Sequence, residues 1–172
     1  MTRWGIIGCG DVTEVKSGPG FQKADRSALV AVMRRDLAKA QDYARRHGVP
    51  RAYDDFTQMA IREARRKDGI EAVAIVTPNH MHAPVAREFL KRGIHVICDK
   101  PLTATLVEAK RLQKAAADSG TLFILTHNYT AYPMIRQARA MVADGTLGKI
   151  RVVQVEYAQD WLATPVEASG SK

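Results

Sequence analysis

Cysteine is scarce in this sequence, with only Cys9 and Cys98 among 172 residues. Neither belongs to a CxxC pair, and two thiols cannot build a disulfide scaffold, which points to a reducing, cytoplasmic setting. No stretch approaches the ~20 consecutive apolar residues of a bilayer-spanning helix, so a membrane is not expected as a partner. The opening MTRWGIIGCG runs into glycine too soon to read as a signal peptide. Aromatic residues are only 6% of the chain and form no platform for stacking bases. Internal repeats and low-complexity tracts are also missing.

Positive charge is what the chain has in excess, with 26 Lys and Arg against 18 Asp and Glu and a formal net charge of +8. The cations fall in small groups such as Arg34-Arg35, Arg45-Arg46, Arg65-Arg66-Lys67 and Lys91-Arg92. Most sit on expected helices, where a solvated outer face accounts for them. Without a finger, a helix-turn-helix or a stacking platform, nucleic acid is not an expected partner. A small anionic ligand needs only one or two of these groups.

The hydrophobic pattern alternates strand and helix. Short apolar runs at Arg3–Gly8, Ala28–Met33, Ala72–Thr77, Ile94–Cys98 and Thr121–Thr126 are near-continuous rather than alternating. That is the signature of parallel strands covered on both faces. A weaker strand is expected around Arg51–Tyr53. Between them lie helical stretches: one capped by Asp36 and stopped at Gly48, one over Thr57–Lys67, and one in APVAREFLKRG. A fourth carries Thr105 and Glu108 at capping-box spacing and ends at Gly120. Strands and helices in this alternation predict βαβ units with right-handed crossovers, hence an α/β fold with a doubly wound parallel sheet of Rossmann type.

Beyond Asn128 the pattern changes. A helix in AYPMIRQARAMVADGTLG is followed by KIRVVQVEYAQD, where Ile150, Val152 or Val153, Val155 and Tyr157 alternate with Arg151, Gln154 and Glu156. This predicts an antiparallel-type strand with one wet face. One such strand cannot bury its own apolar side. The expected organisation is therefore a dinucleotide-binding domain over 1–127, then 128–172 as the first helix and strand of an incomplete α+β C-terminal domain.

The run GIIGCGDVT explains the bare main chain near the start. A strand that ends in Gly8-Cys9-Gly10 and passes into a helix through Asp11, Val12 and Thr13 is the first turn of a dinucleotide-binding fold. One glycine makes the turn, the other lets backbone amides approach a pyrophosphate, and the helix N-terminus supplies partial positive charge. Thr13 stands where a third small residue is wanted. At the end of the second strand, Asp36 is better placed as a helix cap, which leaves Arg34 and Arg35 at the ribose position. Arginine suits a 2′-phosphate through charge-assisted, bidentate hydrogen bonds, so NADP is favoured over NAD; a solvated arginine pair is the alternative.

Ligands of open α/β sheets bind beyond the carboxyl ends of the strands. Three further strand ends carry Thr77-Pro78-Asn79-His80-Met81-His82, Cys98-Asp99-Lys100-Pro101 and Thr126-His127-Asn128-Tyr129. His80, His95 and His127 read as structural, and His82 as either a packing residue or a site residue. The histidines lack metal-ligand spacing, so no metal is expected. Cys9 and Cys98 read as small apolar fillers.

In their order and spacing, GIIGCGDVT, TPNHMH, CDKPL and THNYT resemble the glucose-fructose oxidoreductase / inositol dehydrogenase / MocA (Gfo/Idh/MocA) family, from Arg3 to about Tyr157. The resemblance implies an NAD(P)-dependent dehydrogenase or reductase that moves hydride between nicotinamide and a secondary alcohol or carbonyl of a sugar, cyclitol or related ring. It also implies a C-terminal domain on a large, mostly antiparallel sheet and a homo-oligomer of the full-length protein. It assigns Lys100 beside the nicotinamide and the reacting hydroxyl, where an ammonium stabilises developing alkoxide charge. Pro101 would stiffen the turn, with a cis bond before it. Thr77, Pro78, Asn79 and His82 would line the ribose and nicotinamide side, and Asn128 and Tyr129 the substrate pocket. Asp99 stands where the family has glutamate, which leaves its contacts open. The family's acid/base histidine, in a segment of the form D-x-G-x-H, has no counterpart here, so the chain alone is expected to be inactive. The alternative reading is a dinucleotide-binding sensor or regulatory module without turnover.

Overall fold

The computed structural model describes residues 1–158 and divides into a first unit, Met1–His127, and a second that begins at Asn128. In the first unit β1 (Thr2–Ile7) leads through a π-helical turn (Thr13–Ser17) into α1 (Gly18–Lys23). Then come β2 (Ser27–Met33), α2 (Leu37–Arg46), β3 (Arg51–Tyr53) and α3 (Phe56–Ala64). After these follow β4 (Ala72–Ile75), α4 (Asn79–Leu90), β5 (His95–Cys98), α5 (Leu106–Ser119) and β6 (Phe123–Leu125). All five strand pairings are parallel, in the order β3-β2-β1-β4-β5-β6. The chain winds outward from β1 in one direction and from β4 in the other, so strand order reverses between them.

Alternate residues of the strands feed two cores. Ile7, Ala31, Met33, Val73, Ile75 and Val96 face one side and pack with Met59, Phe89, Leu90 and Leu112 from α3, α4 and α5. Ile6, Val32 and Ala74 face the other and pack with Tyr43 and Ala44 of α2 and Phe21 of α1. Burial on both faces is why these strands read as unbroken apolar runs.

The caps follow the side-chain chemistry of the sequence. The carboxylate of Asp36 accepts from the Lys39 amide at 3.1 Å, that of Asp55 from Gln58, and the Thr105 hydroxyl from Glu108. Gly120 ends α5 at φ +65°.

Three boundaries differ from the sequence reading. β4 stops at Ile75 because β1 turns away at Gly8; Val76 still donates to the Ile7 carbonyl, and no ladder continues beyond. α4 starts at Asn79 rather than Ala83 and keeps Pro84 inside. Burial of His82, Ala83, Val85, Ala86, Phe89 and Leu90 outweighs the one donor that proline removes. The expected strand after Lys149 has no regular structure over 150–156, and Val152, Val153 and Val155 are exposed. Among the described residues nothing pairs with its backbone there, and a lone strand has no ladder to join. The second unit otherwise holds a 3₁₀ turn (Asn128–Ala131) and α6 (Pro133–Ala143).

A polar tie closes the α1/α2 layer. Glu14, in the π-helical turn, accepts hydrogen bonds from both terminal nitrogens of Arg46 and faces Nε2 of His47 at 2.7 Å. Chiefly through the Arg46 hydrogen bond, and less through His47, its carboxyl is held at about 2, below the usual 4.5. A depressed carboxyl contributes stability that is complete above its unfolded value and lost as pH falls through the folded one. Urea midpoints of the protein and of Glu14→Gln should therefore differ most above pH 4.5 and converge as pH drops toward 2.

Candidate functional site

The carboxyl ends of β1 and β4 flank the point where strand order reverses, and a cleft of about 410 Å³ opens there. Its floor is the loop after β1. Gly8 takes φ +94°, and a Cβ on it would lie 2.6 Å from the Val76 carbonyl oxygen, so only glycine fits. The amides of Gly8 and Cys9 donate to the Met33 carbonyl at 2.9 and 3.3 Å, which ties the loop to the end of β2. At Gly10 a Cβ would meet nothing closer than 4.0 Å and would instead fill the space above the loop. The Gly10 carbonyl accepts from the amides of Thr13 and Glu14, so the helix begins at Asp11. The first-turn amides of Asp11 and Val12 have no intrahelical carbonyl to reach. Such a helix start offers free N–H groups and positive partial charge to an anion.

Thr13 is fully buried, with its hydroxyl turned back onto the Gly10 carbonyl at 2.7 Å. The close approach falls further along, at Gly18. A Cβ there would lie 2.1 Å from the Thr13 carbonyl oxygen and 2.5 Å from the Tyr43 hydroxyl. The wide turn delivers the Gly18 amide to that same carbonyl, which also accepts from Tyr43. The sequence places a glycine here, but only the packing of α2 shows why.

The walls of the cleft come from the ends of β2 and β4. Met33, Arg34, Arg35, Asp36 and Lys39 form one side; Val76, Thr77, Pro78, His80 and Met81 form the other. The Arg34 guanidinium donates to the Cys9 carbonyl at 3.2 Å, so it braces the glycine loop. Arg35 is exposed. Lys39, overlooked in the sequence, lies one turn into α2 with its ammonium 3.6 Å from the Asp36 carboxylate. Hydrogen bonding from the Lys39 amide, and its charge, hold Asp36 below the usual carboxylate range. The overlooked residues had a signal: α2 starts at the cleft, so a cation three residues past the cap returns to the cap's side.

Of the residues singled out in the sequence, the fold gathers Gly8, Cys9, Gly10, Arg34, Arg35, Thr77 and Pro78 on this one cleft. Asp11, Val12 and Thr13 form the helix start beside it. His80, read as structural, lines the cleft as well. His95 is structural as expected, its Nδ1 accepting from the Leu122 amide. Asn79 is the exposed first residue of α4. His82 is buried, and its two ring nitrogens lie 2.8 Å from the Thr77 carbonyl and 2.7 Å from the Pro101 carbonyl.

Asp99, Lys100 and Pro101 form the turn after β5, with a cis bond before Pro101. The Asp99 carboxylate accepts from the Lys100 amide at 2.8 Å and the Thr126 hydroxyl at 2.9 Å, which answers the question its shorter side chain raised. Lys100 itself is exposed. In the second unit, Asn128 opens the 3₁₀ turn, and Tyr129 lines an open apolar groove of about 500 Å³ with Tyr132 and Ile135.

The thiols are inert. Burial pushes Cys9 up to about 11, against the opposing charge of Arg34, and pushes Cys98 up to about 12. Both stay protonated near neutral pH and act as packing groups.

The donor set fits a dinucleotide. At Gly8 the floor admits main chain only, at Gly10 it is left open, the helix start presents amides, and the Thr77 hydroxyl on the wall is buried with no hydrogen-bond partner. A buried hydroxyl without a partner costs free energy until a ligand supplies one. Gly8→Ala should therefore lose dinucleotide binding and cost about 1–3 kcal/mol in stability, read by calorimetry and by denaturant midpoint.

The profile of the oxidoreductase family with the NAD-binding Rossmann fold matches residues 2–127. An oxidoreductase structure from Sinorhizobium meliloti is 55% identical with a TM-score of 0.85, over 94% of this chain and 46% of that one. An inositol dehydrogenase homolog from Azotobacter vinelandii, complexed with NAD+, is 38% identical with a TM-score of 0.86, over 98% and 45%. An inositol dehydrogenase homolog from Azotobacter vinelandii complexed with NADH and myo-inositol is 36% identical with a TM-score of 0.85, over 98% and 46%. Among curated relatives, the uncharacterized oxidoreductase YfiI of Bacillus subtilis is 32% identical over 168 residues, which is 94% of this chain and 43% of YfiI. The chain thus spans about half the length of the relatives it matches. With a six-stranded parallel sheet, a glycine-floored cleft at its switch point and a family match across the whole first unit, this chain belongs to the Gfo/Idh/MocA oxidoreductase family, of which it carries the NAD-binding Rossmann domain.

Proposed function

We propose that 1–127 holds an NAD(P) dinucleotide across the β1/β4 switch point, and that the whole protein is a dehydrogenase or reductase of a sugar, cyclitol or related ring. The bound dinucleotide supplies a hydride acceptor or donor at its nicotinamide. This chain's residues bind and aim it. The amides of the Gly8–Gly10 loop and the following helix start meet the pyrophosphate, and Thr77 and Pro78 border the ribose and nicotinamide half. Lys100, at the end of β5, stabilises alkoxide charge at the reacting carbon. Residues from Asn128 onward begin the substrate and oligomerisation domain, with Asn128 and Tyr129 bordering the substrate pocket. The myo-inositol bound by the Azotobacter vinelandii homolog supports a polyol-like substrate class.

NADP is favoured over NAD. Arg35 and Lys39 flank the ribose end of the cleft, and Asp36 is already engaged by Lys39. A phosphate dianion gains charge-assisted hydrogen bonds from such cations. The observation that carries the reading is the cradle at Gly8 and Gly10 beside the unpartnered Thr77 hydroxyl.

The test is a thermal-shift and fluorescence titration of the protein with NADPH and NADH. Ligand at ~100 times its Kd should stabilise the fold by about 2.7 kcal/mol. Binding of neither nucleotide would sink the proposal, while a preference for NADH would overturn only the assignment to NADP.

A further inference from the structure

We propose that His82 is a positioning residue that fastens the turn carrying Lys100 to the wall of the dinucleotide cleft. This rests on the reading of that cleft given above. The ring is almost completely buried, in the first turn of α4, behind the wall rather than on it. Its two nitrogens reach two carbonyls that belong to different strand ends. Nε2 lies 2.8 Å from the oxygen of Thr77, which follows β4, and Nδ1 lies 2.7 Å from the oxygen of Pro101, which follows β5. Carbonyl oxygens only accept, so each ring nitrogen that carries hydrogen donates to one of these turns.

The turn needs such a tie. Pairing between β4 and β5 ends at Ile75 and Cys98, and one more backbone bond follows, from the Asp99 amide to the Ile75 carbonyl. Beyond it the chain leaves the sheet. Asp99 holds the near side, through the Lys100 amide and the Thr126 hydroxyl. Pro101 has no N–H, so its carbonyl is the residue's single hydrogen-bonding group, and that group is the one His82 reaches. Lys100 is thereby gripped on both sides while its own side chain stays exposed.

A helix-capping histidine would need one acceptor, and a packing histidine none. A buried imidazole with its two nitrogens 2.7 and 2.8 Å from carbonyls of two separate turns is a strut: it bonds one turn in the neutral ring and both when each nitrogen carries hydrogen. Its effect on binding is local: it sets the spacing between Thr77, on the nicotinamide-side wall, and the Lys100 turn, and it makes no hydrogen bond of its own to Arg35 or the glycine loop.

The experiment compares the protein with His82→Gln, whose side chain reaches one carbonyl but not both. Each is titrated with the tighter binding of NADPH and NADH, and with the matching ADP-ribose compound that lacks nicotinamide. The variant should bind the full dinucleotide about tenfold more weakly, the equivalent of one buried hydrogen bond, and the ADP-ribose compound unchanged within about twofold. Equal weakening of both ligands, or of neither, overturns the positioning role. Thermal melts of both proteins show whether the variant is folded at the titration temperature. Should it not fold, the ¹⁵N-histidine spectrum of the unmodified protein decides. The His82 ring signals should move when the dinucleotide binds and stay in place when the ADP-ribose compound binds; movement with both or neither overturns the proposal. Failure of the unmodified protein to bind any of these ligands is a different result, because it removes the dinucleotide site itself.

Discussion

With Arg35 and Lys39 both changed to serine (Arg35→Ser, Lys39→Ser), the protein should bind NADPH about 100-fold more weakly and NADH at least as tightly as before. Both cations line the β2 side of the cleft, and neither holds the glycine loop. Their value to NADPH lies in charge-assisted bonds to a phosphate that NADH lacks. The second change also acts on Asp36. Its carboxylate now sits 3.6 Å from the Lys39 ammonium. Freed from that charge, it can accept from the ribose hydroxyls of NADH and repel a 2′-phosphate. Arg34 belongs to a different class, because its guanidinium braces the Cys9 carbonyl. Arg34→Ser should weaken both nucleotides alike, by about fivefold, as expected for one lost bond that shapes the loop. Fluorescence titration of the three proteins separates these roles. Equal losses of NADPH and NADH in the double variant would refute the assignment of Arg35 and Lys39 to the 2′-phosphate.

The parts of the fold that were legible are those that local chemistry dictates. Buried parallel strands must be apolar on both faces, and the five apolar runs of the sequence, with the weaker segment at Arg51–Tyr53, mark the six strands of the sheet. Asp36 and Thr105 cap because a short polar side chain in extended backbone can reach an amide three residues on. Gly8 and Gly10 announce their turn because no other residue tolerates that φ or leaves that space. The segment over 150–156 shows the limit of pattern alone: its alternation is real, but a strand exists only where a neighbour accepts its hydrogen bonds.

What stayed hidden depends on contacts between residues far apart in the chain. Pro84 reads as a helix boundary, yet α4 runs through it because six of its side chains are buried. Gly18 looks like an ordinary helix glycine until Tyr43 arrives from α2. His82 reads as either a packing residue or a site residue, and no local pattern shows that its ring faces carbonyls on two neighbouring turns. Glu63 gives no local sign at all, since a glutamate on a helix is ordinarily solvated.

Glu63→Ala should destabilise the protein by about 3–5 kcal/mol, lowering its melting temperature by roughly 10 °C. The Glu63 side chain is completely buried in the first unit. Its Oε1 accepts from Arg51 Nε at 2.7 Å and the Tyr53 hydroxyl at 2.6 Å. Its Oε2 accepts from Arg51 Nη2 at 2.9 Å and the Ile70 amide at 3.1 Å. Those four bonds fasten the three-residue strand β3 to α3 and to the segment entering β4. Burial, and then the bond to Glu63, push the Tyr53 hydroxyl up to about 12, so it remains a donor near neutral pH. Alanine would leave a largely buried guanidinium, a phenol and an amide without their acceptor. Asp68 offers Arg51 a 3.4 Å contact from a mostly exposed carboxylate and a 3.1 Å bond from Nη2 to its carbonyl, which leave Nε without an acceptor and do not compensate. Glutamine should cost nearly as much, because its amide nitrogen would face a second donor where Oε2 now accepts. Changing all three partners to apolar residues (Arg51→Leu, Tyr53→Phe, Glu63→Leu) removes the charges together with their desolvation cost. The triple variant should return to within about 1 kcal/mol of the unmodified protein. A triple variant as unstable as Glu63→Ala would show instead that the network's attraction, and not the penalty of an orphaned charge, holds β3 in place.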